Sequence, residues 1–340
     1  MICNPNSTSQ HAGLFRQIVP MLREVEGLTM LVKHTHYAGH AEEMVRGLTR
    51  DDFDAVIAVG GDGTVNEIAN GLLGEAGKQP AMEEIPALAV IPTGSANVFV
   101  RALGFPSSPI EAAYALAQVL NDDLRRPIRL GTWNDRWFAV NAGFGLDADV
   151  LARVDKAREQ GFAATPLRYL TVATKAYRRA HKRPPRINVK AMSKKGEKFE
   201  IQEAPLMLAS NTNPWTFLGP LEVVTNPRNS FDNGLGLFGL TNLDGVGGIV
   251  GLLYLFGVDR GQWLQRMVKD RVIQFDDAVS VELTCPSPHR FQADGEFEGK
   301  STSVKLTSVA DAIEVFAPYN SRQLRRRPWT KVVRDFVRVH

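Results

Sequence analysis

The chain has 340 residues, 44% of them hydrophobic and 23% charged, and a net charge of +3. This is the composition of an ordinary globular protein with room for two domains, and it excludes a disordered or fibrous chain. The only cysteines, Cys3 and Cys285, stand far apart, which excludes a disulfide framework and predicts free thiols in a reducing compartment.

No basic stretch followed by an apolar one opens the sequence, so no secretory leader is expected. Ile2-Cys3 is the stub of a strand, followed by an Asn4-Pro5-Asn6-Ser7 turn. Apolar residues recur at helical spacing over 14–25, residues 28–33 read as a strand, and residues 38–48 as a helix. Residues 54–59 form an almost wholly apolar run bounded by an acid and glycine, as in a buried parallel strand. A helix over 64–73, a second buried strand over 87–91, and helices over 96–103 and 109–120 complete a β-α-β-α series. That order predicts a parallel sheet covered on both faces. Beyond residue 125 the pattern changes to strands near 128–130, 137–141, 186–190, 198–202, 206–209, 237–240, 279–283 and 303–306. Helical insertions at 148–180 and 246–269 interrupt this β-rich second domain. The longest apolar run, 245–258, is Gly-rich and shorter than the roughly 20 residues that cross a bilayer, so it reads as a buried helix.

The strongest chemical signal is the strand that runs into Gly60-Gly61-Asp62-Gly63-Thr64 and then into a helix opening with Val65, Asn66 and Glu67. Glycine lets a bulky ligand approach the backbone. The open N–H groups and dipole of a helix start favour an anion such as phosphate. Asp62 would repel bare phosphate, which points to Mg2+ beside it. A plain strand-to-helix turn, with glycines for packing, is the alternative. The run is neither a Walker loop, which needs a following Lys, nor a G-x-G-x-x-G fingerprint. A second polar turn, Pro92-Thr93-Gly94-Ser95-Ala96-Asn97, follows the next strand. With Asn4 to Thr8 and with Thr35, four polar turns follow strand ends, the edge where open α/β sheets bind ligands. Helix capping by Ser, Thr and Asn would explain any one of them; four together favour a nucleotide cleft. His34, His36 and His40 are not spaced to share one face, so no transition-metal site is expected there.

Asn4-Pro5, Thr35 with Gly39-His40-Ala41, the glycine motif with Asn66-Glu67, Pro92-x-Gly94-Ser95-x-Asn97, Asn141-x-Gly143-x-Gly145-x-Asp147 and Asp294-Gly295-Glu296 occur in this order. Together they resemble the diacylglycerol kinase catalytic-domain family, which includes bacterial lipid kinases and sphingosine and ceramide kinases. The resemblance runs from Asn4 to about Phe316. NAD kinases share the glycine motif, and phosphofructokinases have a similar one. The 92–97 turn and the late Asp-Gly-Glu make the lipid-kinase resemblance specific.

The resemblance implies an α/β fold class with two domains and the active site between them. A three-layer α/β nucleotide-binding domain is expected over 1–125 and a β-sandwich lipid-binding and catalytic domain over 126–316. It implies ATP contacts from Asn4, Pro5, Asn6, Ser7, Thr8, Thr35, Gly60, Gly61, Asp62, Gly63, Thr64, Val65, Asn66, Glu67 and Ser95. Asp294 and Glu296 match carboxylates that would deprotonate a lipid hydroxyl, one organising Mg2+ and Glu296 accepting the proton. An exposed Asp-Gly hairpin turn is the plain alternative. A structural Mg2+ would take Ser230, Asn233 and Leu235, the first and last through backbone carbonyls. Asn233 stands where the family has Asp, which weakens affinity for a hard cation, although Asp232 could compensate. The family's first strand is longer than Met1-Ile2-Cys3, so a short strand or a late start is expected.

The expected activity is therefore ATP-dependent, Mg2+-assisted phosphoryl transfer to a lipid hydroxyl, with diacylglycerol first among acceptors. The alternatives are an NAD kinase-like enzyme acting on a soluble dinucleotide and a non-catalytic lipid-binding protein. Expected partners are the lipid substrate and an anionic membrane surface, with a homodimer permitted and no nucleic acid. The expected location is cytoplasmic with peripheral membrane association.

Residues 322–340 carry seven Lys or Arg and one acid, a net +6 that leaves residues 1–321 at −3. Trp329, Val332, Val333, Phe336 and Val337 fall on one helical face, flanked by Arg325, Arg326, Arg327, Lys331, Arg334 and Arg338. The 317–340 tail therefore either docks on anionic lipid or packs its apolar face on the first domain. Each basic residue near an anionic surface contributes about 1 kcal/mol, enough together for reversible docking. Liposome sedimentation should show anionic vesicles pelleting the full chain but not a folded version ending at Ser321. Equal binding of the two would remove the tail as anchor.

Overall fold

A computed structural model describes residues 1–7, 12–144, 184–218, 221–255 and 268–319. Thr8, Gly145, Asp147, the insertion at 148–180, residues 256–267 of the second insertion and the tail from residue 320 lie outside them. The chain divides into two compact units, Met1–Ile128 with the chain from Asp311 onward, and Arg129–Ala310.

The first unit contains β1 (Ile2–Cys3), β2 (Lys33–His34), β3 (Ala55–Gly60) and β4 (Ala87–Pro92), with the end of β15 (Glu296–Phe316). Its helices are α1 (Ala12–Leu22), α2 (His40–Val45), α3 (Asp62–Leu73), α4 (Val98–Ala102) and α5 (Pro109–Asn121). The strands lie in the order β2-β1-β3-β4-β15, every neighbouring pair parallel. Cys3 is level with His34 and Val59, and Gly60 with Pro92, so the carboxyl ends of four strands share one rim. The chain leaves β1 toward β2 on one side and returns to β3 on the other. This reversal is the topological switch point where open sheets receive ligands. Helix α1 packs with α5, and α2 with α3. Right-handed crossovers put those two pairs on opposite faces.

The strand expected over 28–33 shrinks to Lys33–His34 because β1 offers only Ile2 and Cys3 as partners. Leu31 and Val32 stay exposed, their apolar character unused by the sheet. The carboxyl end of β15 joins this unit, whereas the sequence placed it with the second domain; Val315 pairs with Leu88 of β4. Cys3 and Cys285 are free and buried, and burial pushes both thiols up to about 11, so they stay protonated at neutral pH.

The second unit is built mainly of antiparallel strands. Its strands are most of β5 (Arg125–Trp133), β6 (Arg136–Phe138), β7 (Asn141–Phe144), β8 (Ile187–Ser193), β9 (Lys198–Ala204), β10 (Leu206–Ser210), β11 (Thr216–Leu218), β12 (Leu221–Val223), β13 (Leu235–Leu240), β14 (Val272–Ala293) and the start of β15. Strands β13, β10, β7, β14 and β15 follow one another, while β8 with β9 joins β14 and β6 joins β5. Phe138, Phe144, Val189, Met207, Leu237, Leu283, Phe291 and Leu306 are among the side chains that fill its core. The single strand read over 137–141 divides into β6 and β7 because Ala139 and Val140 turn their amides toward a side chain. Helix α6 (Gly245–Leu255) forms within the second insertion. Among the described residues no helix is long and apolar enough to cross a membrane.

Gly71 fixes how closely α2 approaches α3. A Cβ there would lie 2.4 Å from the Glu42 carbonyl oxygen and 2.5 Å from Val45 Cγ2. Gly71→Ala should force the helices apart and lower stability by about 1–3 kcal/mol in urea unfolding. An unchanged midpoint would show that the pair yields freely.

Candidate active site

The rim of the first unit is built from turns that hold one another. Gly61, at the N-terminus of α3, has extended backbone with φ −94° and ψ −170°, so positive φ is not its reason for being glycine. Close approach is the reason, since a Cβ on Gly94 would sit 2.6 Å from Gly61 Cα. The turn after β4 closes on Asn97, whose side chain donates to the Gly94 carbonyl at 2.8 Å and accepts from the Gly94 amide at 3.0 Å. Asn97 takes a left-handed conformation, φ 50°, which asparagine tolerates better than most residues.

Both carboxylates of the glycine motif serve neighbouring turns. Asp62 accepts the amides of Val98 and Phe99, each at 2.9 Å, and so caps α4 from a distance in sequence. Glu67 accepts the amides of Gly39 at 2.8 Å and Ala41 at 3.0 Å, capping α2. The turn after β1 joins the same assembly. Asn4 Nδ2 donates to Thr64 Oγ1 at 3.4 Å, and the Ser7 and fully buried Thr93 hydroxyls lie 2.6 Å apart. Thr35 is buried, its amide donating to the Cys3 carbonyl at 2.9 Å. Beyond it the exposed Tyr37 ring stacks on His40 at 4.4 Å. Ser95, Pro5 and Asn6 are exposed on this rim, and Gly60, Val65 and Asn66 support it from within β3 and α3.

The helix that follows the glycine motif opens on a glycine. Gly61 stands at the N-cap of α3 without a capping side chain, so the first-turn amides of Gly63 and Thr64 lack an intrahelical acceptor. Their partial positive charge, added to the dipole of a 12-residue helix, favours negative charge at this end.

The second unit places the other predicted pair. Asp294 and Gly295 form the β14–β15 hairpin turn, both with positive φ, 49° and 84°, as a two-residue hairpin requires. The Asp294 carboxylate accepts the amides of Ala139 and Val140 at 2.7 Å and of Asn141 at 3.1 Å. Its own amide donates to the Asn141 carbonyl at 2.7 Å. Sequence reasoning missed the side chains that brace this turn. Buried Gln292 donates to Asn141 Oδ1 at 2.9 Å and accepts the Gly295 amide at 3.0 Å, and Asn211 holds the Ala139 carbonyl at 3.2 Å. A lone Gln or Asn in a strand carries no periodic signal that would mark it. Glu296, next along β15, is exposed. Two residues on, the Glu298 carboxyl is pushed up, first by withdrawal from water and then by Glu296, with Arg136 opposing.

The residues expected to hold a structural Mg2+ do not fit one. Asn233 turns its Nδ2, not its oxygen, toward the Arg228 carbonyl at 2.9 Å and Ser230 Oγ at 3.2 Å. The Ser230 carbonyl already accepts the Asn233 amide at 3.1 Å, and Leu235 pairs with Ala278 in the sheet. Among the described residues no three His, Cys, Asp or Glu side chains are grouped to hold a metal.

Residues 1–150 match the diacylglycerol kinase catalytic domain. The resemblance to that family is thereby shown. A diacylglycerol kinase of Bacillus subtilis is 34% identical over 142 residues, 41% of this chain and 44% of its own length. A protein of Chromohalobacter salexigens named as a probable lipid kinase, YegS-like, is 37% identical over 145 residues, 43% of each chain. The matched stretch thus spans less than half of these curated relatives. In three dimensions the likeness extends further, to a crystal structure of a diacylglycerol kinase from Bacillus anthracis. It has a TM-score of 0.65 at 20% identity and covers 94% of this chain and 96% of that one. At that identity the shared property is the two-domain α/β fold.

The Asp294 carboxylate offers two oxygens to three amides, whereas Asn would offer one oxygen and an opposing NH2. Asp294→Asn should therefore lower unfolding stability by about 2–4 kcal/mol in denaturant titration. Wild-type stability in this variant would show that the turn holds without the charge.

Proposed function

We propose that this protein is an ATP-dependent lipid kinase that transfers a phosphoryl group to a lipid hydroxyl, with diacylglycerol as the acceptor of first choice. The observation that carries the proposal is the glycine-opened N-terminus of α3 at the switch point of the β2-β1-β3-β4 sheet. The 1–150 match to a diacylglycerol kinase catalytic domain supports the same reading. Residues 61–64 bind the phosphates of ATP through backbone amides. The turns carrying Asn4 to Thr8, Thr35 and Ser95 surround the rest of the nucleotide. Mg2+ bound with ATP would supply positive charge beside the transferred phosphoryl group. Asp62 and Glu67 act through the backbone by fixing the turns that receive the nucleotide.

The two predicted acids divide their work in a way that charge alone did not show. Asp294 is tied to three amides, so its role is to position the hairpin. Exposed Glu296 is the base that takes the proton of the acceptor hydroxyl. Peripheral attachment to an anionic membrane brings the enzyme to its substrate.

Glu296→Gln should lower turnover by at least ~10² with KM for ATP and melting temperature little changed, because the side chain is exposed. The assay is transfer of labelled phosphate from ATP to diacylglycerol in mixed micelles, with NAD as a parallel acceptor. Labelled NAD and unlabelled lipid would replace the proposal with a dinucleotide kinase. No transfer to either would favour a non-catalytic lipid-binding protein.

A further inference from the structure

Oxygen ligands of a divalent cation repel one another until the cation sits among them. The loop between β12 and β13 holds such oxygens without one. The Arg228 carbonyl and Ser230 Oγ both face Asn233, and the side-chain nitrogen of Asn233 donates to each, at 2.9 and 3.2 Å. The reverse orientation of that amide would set oxygen against the Arg228 carbonyl, so the hydrogen-bond pattern fixes it. Ser230 Oγ also accepts the Asp232 amide at 3.2 Å.

The surrounding charges are committed as well. Asp276 accepts Arg228 Nε at 3.0 Å and Asn226 Nδ2 at 2.8 Å, and Asp277 accepts the Gly234 amide at 2.7 Å. Asn229 spans the loop, with Nδ2 donating to the Ser210 carbonyl at 2.8 Å and Oδ1 accepting the Ser230 amide at 3.0 Å. Asn226 Oδ1 is buried without a partner, as is Oδ1 of Asn213, whose nitrogen donates to the Pro227 carbonyl at 3.0 Å, but two neutral oxygens fall well short of the six or so that a hard cation takes.

We infer that the Asn233 carboxamide replaces a divalent cation in the 226–235 loop and makes that loop, and the stability of the second unit, independent of divalent metal. Two N–H groups supply the partial positive charge at the point where Arg228 and Ser230 direct their oxygens. Arg228 supplies the full positive charge, displaced to Asp276 at the loop's edge. An aspartate at 233 would bring a third oxygen to that point and require a cation to hold the three together.

The test is thermal unfolding of the nucleotide-free protein in EDTA and in about 10 mM Mg2+ or Ca2+, concentrations that reveal millimolar binding. Wild type should melt within about 1 °C in all three conditions. Asn233→Asp should melt at least about 3 °C lower in EDTA and regain that loss with either cation. A wild type stabilised several degrees by Mg2+ and reversed by EDTA would overturn the inference. So would an aspartate variant that ignores both cations. If that variant does not fold, calorimetric titration of wild type with Mg2+ decides: absence of heat upholds the inference and saturable binding refutes it. None of these readouts depends on kinase activity.

Discussion

Helix α3 carries two carboxylates, one in its first turn and one in its second, and each caps a different helix. Asp62 holds the first amides of α4, and Glu67 holds those of α2. Charge-assisted bonds of this kind are about twice as strong as neutral ones. They set the turn after β2 and the turn after β4 on either side of the turn after β3. Gly61 and Gly94 can then bring their backbones together, as neither has a Cβ to keep them apart. Helix α3 thus caps both neighbours, while its own N-cap, Gly61, has no side chain to offer its first amides.

The second unit relies on the same device. A hairpin turn of Asp and Gly is ordinary, but here the aspartate is drawn into three amides of the segment between β6 and β7. The carbonyls of that segment are held in turn by Asn211 and by Asp294's own amide. Backbone that leaves both strands would otherwise be buried with unmet hydrogen bonds, which costs about as much as losing them. Satisfying it with one side chain fixes where β15 begins and so where Glu296 stands.

Charge and hydrogen-bonding type also separate residues that look interchangeable. Asn233 differs from Asp by one nitrogen, yet that nitrogen reverses which partners suit the site: carbonyl and hydroxyl oxygens instead of a cation. Asp62, Glu67 and Asp294 are all acids in motifs that suggest metal or proton chemistry, and all three are engaged by backbone amides. Glu296, with the same chemistry, is exposed.

By itself the sequence determined the α/β unit with its buried strands β3 and β4, because a continuous apolar run between an acid and glycines has few other foldings. It also determined that polar turns follow four strand ends, since these are local preferences of residues beside one another, whereas it left the hairpin at Asp294-Gly295 as one of two readings. The tertiary structure alone decided the length of β2, which depends on what β1 offers to pair with. It decided that the end of β15 belongs with β4, more than two hundred residues away in the chain. It decided which acids are engaged, because a carboxylate's partners are amides 26 to 155 residues distant. Hydrogen bonds at that range leave no periodicity in a sequence, and only the folded chain brings their donors to the acceptor.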